Sequence, residues 1–593
     1  MTPDPSFPQT WNLDTIFPGG SDSLQFAAFM DELRADLAAI GGKIEGAGGS
    51  VTQDELKALV DELQSVSERL KEADAFTGCL AAQNQKDKKA VALGSANRVL
   101  VARFESHFTR FDRLLTELAD DVWAEWMRHP FFAEIAFPLS ERRASALERM
   151  SPEQESLAND LAVGGYHGWS ELYDTTVSLI EVPFEENGRT AGLSVGQAHN
   201  KLHHPSRDVR ERVFREWENT WSKHADYCGA ALNHLAGFRL QLYRHRGWQS
   251  IHKEPLEINR MSEQTLQTMW GAIEQSRGFL LDYFRKKAEL IGVEKLSWHD
   301  VEAPVGSAGE AISFDDGAEL IIEQFRKFGP KLAAFSEKAF RDRWIEAENR
   351  ANKRPGGFCT SFPVTKQTRI FMTYDGTMNN VSTLAHELGH AFHQHVMDDM
   401  PQFAQNYAMN VAETASTFAE MIVSEATVRA AKDRDRKLAL LDDNIQRAVA
   451  FLMNIHARFL FETNFYVERK RGTVSTERLN ELMVDAQKRA FHDGLGAYHP
   501  HFWASKLHFY ITEVPFYNFP YTFGYLFSSG IYERAAGEGS RFEERYIALL
   551  RDTGSMTVES LARKHLGADL TKPDFWESSI ARVKRDVEAY VRL

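Results

Sequence analysis

The chain has 593 residues with 43% hydrophobic and 26% charged content, an ordinary balance for a soluble globular protein and too long for a single core. Its 69 Lys and Arg against 84 Asp and Glu leave a net charge of −15 with no basic block, which argues against a nucleic-acid partner. Three scattered cysteines, Cys79, Cys228 and Cys359, offer neither a disulfide framework nor a Cys-type metal site, and neither a secretory leader nor a 20-residue apolar span is legible, so a cytoplasmic protein with no membrane partner is expected.

Helical periodicity dominates from the start. Phe26, Phe29, Met30, Leu33, Leu37 and Ile40 form a 3–4 stripe that Gly41 and Gly42 are expected to end. The glycine-rich run to Gly49 reads as a helix–helix loop and not a phosphate cradle, because no P-loop lysine follows. Thr52 with Glu55 makes a capping box, and Ser151-Pro152-Glu153-Gln154 is another helix start. Between Gly164 and Gly196 the run VSLIEVPFEENGRTAGLSVG suggests a hairpin turning at Asn187-Gly188. A boundary near residue 195 is expected, giving an N-terminal helical lobe (1–195) and a catalytic domain (196–593). A β-rich patch follows near 356–374, with FCTSFP and RIFMTY as strands. The fold class expected is mainly α, with a small sheet beside one functional helix.

That helix carries VSTLAHELGHAF (Val381–Phe392), with Asn379 or Asn380 expected as its cap. His386 and His390 stand four apart, so both imidazoles lie on one face and can reach one metal ion. Glu387 is rotated about 100° from His386, which suits a general base that does not ligate. Leu384, Leu388, Ala391 and His395 point away, so the helix presents its histidines to a cavity. His393 shares the stripe and reads as an interior or supporting histidine rather than a ligand. Catalytic zinc takes three protein ligands. The HExxHxxGxxH spacing fails, because position 393 is His and position 396 is Val396. NVAETASTFAE instead supplies Glu413, 23 residues after His390, with Met400-Pro401 as a break between two helices. Glu413 is the expected third ligand and Glu420, on the same face, a group that orients a histidine; Glu425 is a more distant rival. One Zn²⁺ per chain is expected, although the donor set would also accept cobalt or manganese.

MTYDGTMNNVSTLAHELGHAFH followed by VAETASTFAE resembles oligoendopeptidase F, a branch of the thimet-oligopeptidase-like zinc metallopeptidases. WNLDTIFP (Trp11–Pro18) resembles that family's start, and HFYITEVPFYNFPYTFGYLFS its substrate-binding stretch, so the similarity covers nearly the whole chain. The resemblance implies a two-lobed helical body around a deep substrate channel, and zinc-dependent cleavage of short peptides rather than folded proteins. His508 lies farther upstream of Gly524-Tyr525 than the matching histidine does in thimet oligopeptidase, which leaves the equivalence of individual tyrosines open.

An oxyanion formed during peptide cleavage needs donors, and a phenol protonated at neutral pH can serve. Tyr525 and Tyr517 are expected in that role, with His508 assisting and Tyr510 and Tyr521 binding substrate; plain aromatic packing is the competing explanation for each. An extended peptide could pair with the exposed sheet edge, with Gly356 and Gly357 permitting close backbone approach. A zinc endopeptidase is the leading reading. A zinc carboxypeptidase or dipeptidyl carboxypeptidase on the same metal core is the alternative among enzymes, and a catalytically inactive peptide-binding helical protein the alternative of another class. Side-chain preference, substrate length and oligomeric state have no signature in the sequence.

Overall fold

In the computed structural model the described residues are 6–47, 51–186, 188–306 and 311–593. The architecture is mainly helical, and its helices begin where short polar side chains can satisfy free backbone N–H groups. Thr52 Oγ1 accepts from the amide of Glu55 while the Glu55 carboxylate accepts from that of Thr52, a complete capping box opening the helix Gln53–Gln83. Ser151 and Gln154 do the same for Pro152–Ala162.

One stop signal does not act as the sequence suggests. The first long helix runs Leu24–Gly46, straight through Gly41 and Gly42. A Cβ on Gly41 would fall 2.4 Å from the His107 ring, so this glycine admits the side chain of a neighbouring helix instead of ending its own. The last residues of the glycine-rich run, 48–50, lie outside the described residues.

Strands are few. β1 (Glu181–Glu186) and β2 (Arg189–Ser194) form the expected antiparallel hairpin; Gly188 has φ +74°, and its partner in the turn, Asn187, lies outside the described residues. β3 (Ile345–Glu346), β4 (Phe358–Phe362) and β5 (Gln367–Phe371) form a second sheet in the order β3-β5-β4. β4 pairs antiparallel with β5, from Phe358 opposite Phe371 to Phe362 opposite Gln367, and is an edge strand. The two-residue β3 has no sequence signal of its own.

The chain divides into two compact units, each built from three separated stretches: 1–148, 310–426 and 534–567 in the first, and 149–309, 427–533 and 568–593 in the second. The boundary expected near residue 195 falls inside the second unit. The first unit contains the three-stranded sheet and the entry segment. Trp11, Leu13, Ile16 and Phe17 of WNLDTIFP are buried, the Trp11 indole donates to Gln83 Oε1 at 2.6 Å, and its ring packs 5.7 Å from that of Phe371 on β5. The segment thus braces the sheet that flanks the HELGH helix. No helix among the described residues is long and apolar enough to cross a membrane.

Candidate metal centre

The helix bearing HELGH spans Met378–His395 and buries Val381, Leu384, Ala385, Leu388, Ala391 and Phe392 in the core. Its cap is Thr377, whose Oγ1 accepts from the Asn380 amide at 3.2 Å. Asn380, expected as the cap itself, is instead the reciprocal partner, accepting from Thr377 N and Asp375 N. The three amides secured in this way, one by Thr377 and two by Asn380, fix where the helix starts, and with it the angular position of the histidines.

After His395 the chain turns through Pro401 and returns. Glu413 sits at the junction between a short helix, Met409–Ala412, and a long one, Thr414–Ala430. Its carbonyl accepts from Thr417 N at 3.0 Å, so it opens the return helix rather than lying within it. The return helix comes very close to the first. A Cβ on Gly389 would lie 2.4 Å from the Ala415 carbonyl oxygen and 2.6 Å from Ser416 Cα. Only glycine between the two histidines allows that approach.

The result is a tight cluster. Nε2 of His386 and Nε2 of His390 lie 3.2 and 3.4 Å from the same oxygen, Glu413 Oε2. This is the one group of three metal-capable side chains found among the described residues, with all ligand atoms within 4.8 Å of one another. A tetrahedral zinc with bonds of about 2.0–2.1 Å has donor–donor edges of about 3.3–3.4 Å. The observed spacings match those edges, and His₂Glu is a donor set of catalytic zinc sites, so the residues present fit that ion.

The surrounding electrostatics favour a cation here. Burial disfavours a charged His386, but Glu413 and Glu420 outweigh it and raise its pKa to about 10. Burial would likewise raise Glu413, yet bonds from His386 and His390 hold its carboxyl far below the usual range. His386 Nδ1 meets Glu420 Oε2 at 3.4 Å, the contact expected of an orienting carboxylate. Ser416, which spacing alone did not mark, donates to Glu413 Oε2 at 2.7 Å. Replacing Glu420 with Gln is expected to weaken metal binding about 10–100-fold, read by competition against a chelator; an unchanged affinity would remove its orienting role.

Glu387 is 7% exposed. Its pKa is raised, first by burial and then by Glu413, against the pull of both histidines. Gly357 lies beside it, with its Cβ position 3.6 Å from Glu387 Oε1, so the chain just before β4 borders the carboxylate. Gly356 takes φ +91° with open space around it, a backbone that disfavours other residues. His393 is fully buried on another axis: Nε2 meets the Leu550 carbonyl at 3.1 Å and Thr553 Oγ1 at 2.9 Å, its ring stacks 4.2 Å from Tyr407, and burial lowers its pKa to about 3. It is an interior histidine, bonded to Leu550 and Thr553 rather than to the three residues of the cluster. Tyr407, unmarked in the sequence, extends this layer toward Glu413, whose charge acts on its phenol.

The remaining expected residues belong to the second unit. His508, Tyr517 and Tyr521 come together, with ring centroids 5.2 Å apart for His508–Tyr517 and Tyr517–Tyr521 and 6.3 Å for His508–Tyr521. Tyr525 does not join them. It is 3% exposed, stacked on Phe451 at 4.7 Å and bonded to Arg582, contacts that draw its ring into the core. Tyr510 is also corrected: it is fully buried and stacked 3.6 Å from Tyr173. The loop carrying Tyr517 is held firmly. Phe516 adopts φ +53°; its amide and Asn518 Nδ2 both donate to Glu462, at 3.3 and 2.7 Å. The Thr512 carbonyl accepts from Tyr166 and Arg239.

The peptidase family M3 profile matches residues 201–582, and an oligopeptidase F profile matches 115–181. The chain belongs to peptidase family M3. It is a peptide hydrolase of the metallopeptidase kind. Family relatives span its whole length: the plasmid oligoendopeptidase F of Lactococcus lactis subsp. cremoris is 21% identical with 98% of both chains covered, and oligopeptidase PepF of Bacillus subtilis (strain 168) is 23% identical, covering 95% of this chain and 84% of the relative. The fold is shared with oligoendopeptidase-F from Enterococcus faecium (TM-score 0.69, 18% identity, 95% and 98% covered). It is also shared with Pz peptidase A (TM-score 0.69, 15% identity, 94% and 97% covered).

Proposed function

We propose that this M3 peptidase is a zinc-dependent endopeptidase that hydrolyses internal bonds of short oligopeptides. The observation that carries the reading is the convergence of His386 Nε2, His390 Nε2 and Glu413 Oε2 at tetrahedral spacing beside a buried Glu387. His386, His390 and Glu413 would hold one zinc ion, which when bound supplies Lewis acidity toward the peptide carbonyl and lowers the pKa of water.

The chain's own residues do the rest. Glu387 accepts the proton of the attacking water and returns it to the leaving amine. Its low exposure raises its proton affinity toward what that shuttle needs. Glu420 fixes the His386 ring through Nδ1. The edge of β4 and the adjoining Gly356-Gly357 offer main-chain pairing to an extended peptide, which gives affinity with little sequence preference. Phenol and imidazole donors for substrate carbonyls come from Tyr517, Tyr521 and His508; burial, with Arg458 and Lys506, lowers His508 to about 4 and so keeps it neutral. The three cysteines are free, which suits work in the reducing cytoplasm.

Chelation is expected to abolish cleavage of a peptide blocked at both termini, and one equivalent of zinc to restore it, with mass spectrometry locating internal scission. Resistance of every blocked peptide would overturn the endopeptidase reading in favour of a carboxypeptidase or dipeptidyl carboxypeptidase. Turnover that persists without metal would overturn the mechanism.

A further inference from the structure

The first unit contains a groove of about 770 Å³ lined in part by Asp61, Gln64, Glu68, Phe131, Glu134 and Met400, within the roughly 300–1,000 Å³ of sites that hold small groups. Its whole lining belongs to that unit. Asp61, Gln64 and Glu68 stand at i, i+3 and i+7 on the helix Gln53–Gln83, so they share one face of it. The other walls are tied to the same helix. Glu72 accepts from Val364 N at 3.0 Å and from Thr365 Oγ1 at 2.8 Å, which clamps the turn between β4 and β5. Phe403 N donates to Gln64 Oε1 at 3.1 Å and Lys71 Nζ to Asn406 Oδ1 at 2.8 Å, which clamps the chain between the two metal helices.

The charge of this lining is unbalanced. Asp398 meets His395 Nδ1 at 3.1 Å and Asp399 pairs with Arg551. Asp61, Glu68 and Glu134 line the groove with no ion pair among the described residues. Burial raises the Glu68 carboxyl against Lys366, Lys71 and Arg69, and raises that of Asp61 against Lys57; a cation brought into contact stabilises such carboxylates. A second feature points to a ligand. Gln64 is only 9% exposed; its Oε1 is taken by Phe403, but its Nε2 has no hydrogen-bond partner among the described residues, and the side chain lines the groove. A buried amide in that state lacks the acceptor that a peptide carbonyl supplies.

The groove stands at the far end of β4 from the metal centre. Gly357, just before β4, borders Glu387, whereas Pro363 and Val364, just after it, line the groove. The five residues of β4 span about 17 Å at about 3.4 Å each.

We propose that the groove is a subsite for a lysine or arginine side chain of the peptide substrate, about five residues from the bond that is cut. The proposal rests on the reading above that an extended peptide pairs with the edge of β4, since such a peptide advances residue for residue with the strand. Phe131, Val364 and Met400 take the aliphatic stem. Asp61, Glu68 and Glu134 take the charged head, and Gln64 Nε2 donates to a main-chain carbonyl.

The test uses the full-length, zinc-loaded protein carrying Glu387→Gln, so that peptides bind without being cut. The parent ligand is a long neutral peptide blocked at both ends, whose cut bond is located by mass spectrometry with the unmodified enzyme. A single lysine is then moved through the sequence, and calorimetry gives each affinity. Lysine about five residues from the cut, on one side of it, is expected to bind about 10-fold tighter than the neutral parent, and lysine beside the cut no tighter. Asp61→Asn with Glu68→Gln is expected to abolish the gain while leaving the neutral peptide's affinity unchanged. Asp61→Lys with Glu68→Lys is expected to transfer it to a peptide with Glu at the same position. Equal affinity at every lysine position, a preference beside the cut bond, or a gain that survives Asp61→Asn with Glu68→Gln overturns the proposal. Hydrolysis by the unmodified enzyme separates the subsite from the reading it rests on. Internal cleavage of the neutral peptide with no lysine preference removes the subsite alone. A position-specific preference that Asp61→Asn with Glu68→Gln abolishes, without internal cleavage, removes the endopeptidase reading and leaves the subsite standing.

Discussion

Glu387→Gln is expected to lower kcat about 10²–10⁴-fold, the range that a positioned general base contributes, with one zinc still bound per chain. The substitution keeps the shape of a side chain that is 7% exposed and removes only its capacity to accept and return a proton. His386 and His390 both close on Glu413 rather than on Glu387, so the metal should not notice the change. Metal analysis and single-turnover kinetics on the same preparation separate the two effects. Full activity with Gln at 387 would show that another group moves the proton. Loss of zinc together with activity would show that Glu387 belongs to the ligand set.

A second large effect is expected from Gly389→Ala, a change that touches no ligand. The new methyl would meet the Ala415 carbonyl oxygen at 2.4 Å and Ser416 Cα at 2.6 Å, both backbone atoms that cannot rotate away. The return helix would have to retreat by about 1 Å and take Glu413 with it, and a misplacement of that size costs on the order of 100-fold in rate. Overpacking at the contact adds roughly 1–3 kcal/mol of destabilisation. The expected result is a fall of about 100-fold in kcat/KM, with substoichiometric zinc at concentrations that saturate the parent enzyme. Gly271→Ala is the control, since its Cβ meets nothing within 4 Å and it lies in the helix Glu263–Ser276. Parental zinc content and kcat/KM in Gly389→Ala would mean that the two helices are not held at their spacing by this contact.

These two residues mark how far the sequence reads. Helical spacing alone placed His386, Glu387 and His390 on a legible face, because a period of 3.6 is local geometry. Glu413 was reachable as well, since Pro401 and the interval after His390 constrain where a return helix can begin. Gly389 looked like filler between two histidines; its purpose lies in a backbone 26 residues away that only the folded packing reveals. Ser416 and Tyr407 were missed for the same reason, having no spacing rule to select them. The tyrosine-rich stretch was only half legible. Aromatic residues pack cores as readily as they bind substrate, and the burial of Tyr525 and Tyr510 against the accessibility of Tyr517 and Tyr521 is settled by tertiary contacts. Helix starts read well where a Thr or Ser has a partner three residues on, as at Thr52 and Ser151. Thr377 with Asn380 follows the same reciprocal pattern, but Asn379 and Asn380 are themselves favourable caps, and the sequence alone does not rank Thr377 above them.

The interleaving of the two units has a consequence for how the enzyme can be divided. The chain passes from one unit to the other near residues 148, 309, 426, 533 and 567, so a cut at any of the three middle crossings leaves both units without part of their chain. The metal helices at 378–430 depend on chain from both ends, with Trp11 bracing the sheet and Leu550 and Thr553 holding His393. Synthesis must therefore be nearly complete before the catalytic residues acquire their surroundings. A nascent or truncated polypeptide that stops before Leu550 would have the motif but not the chain that surrounds it in the folded first unit.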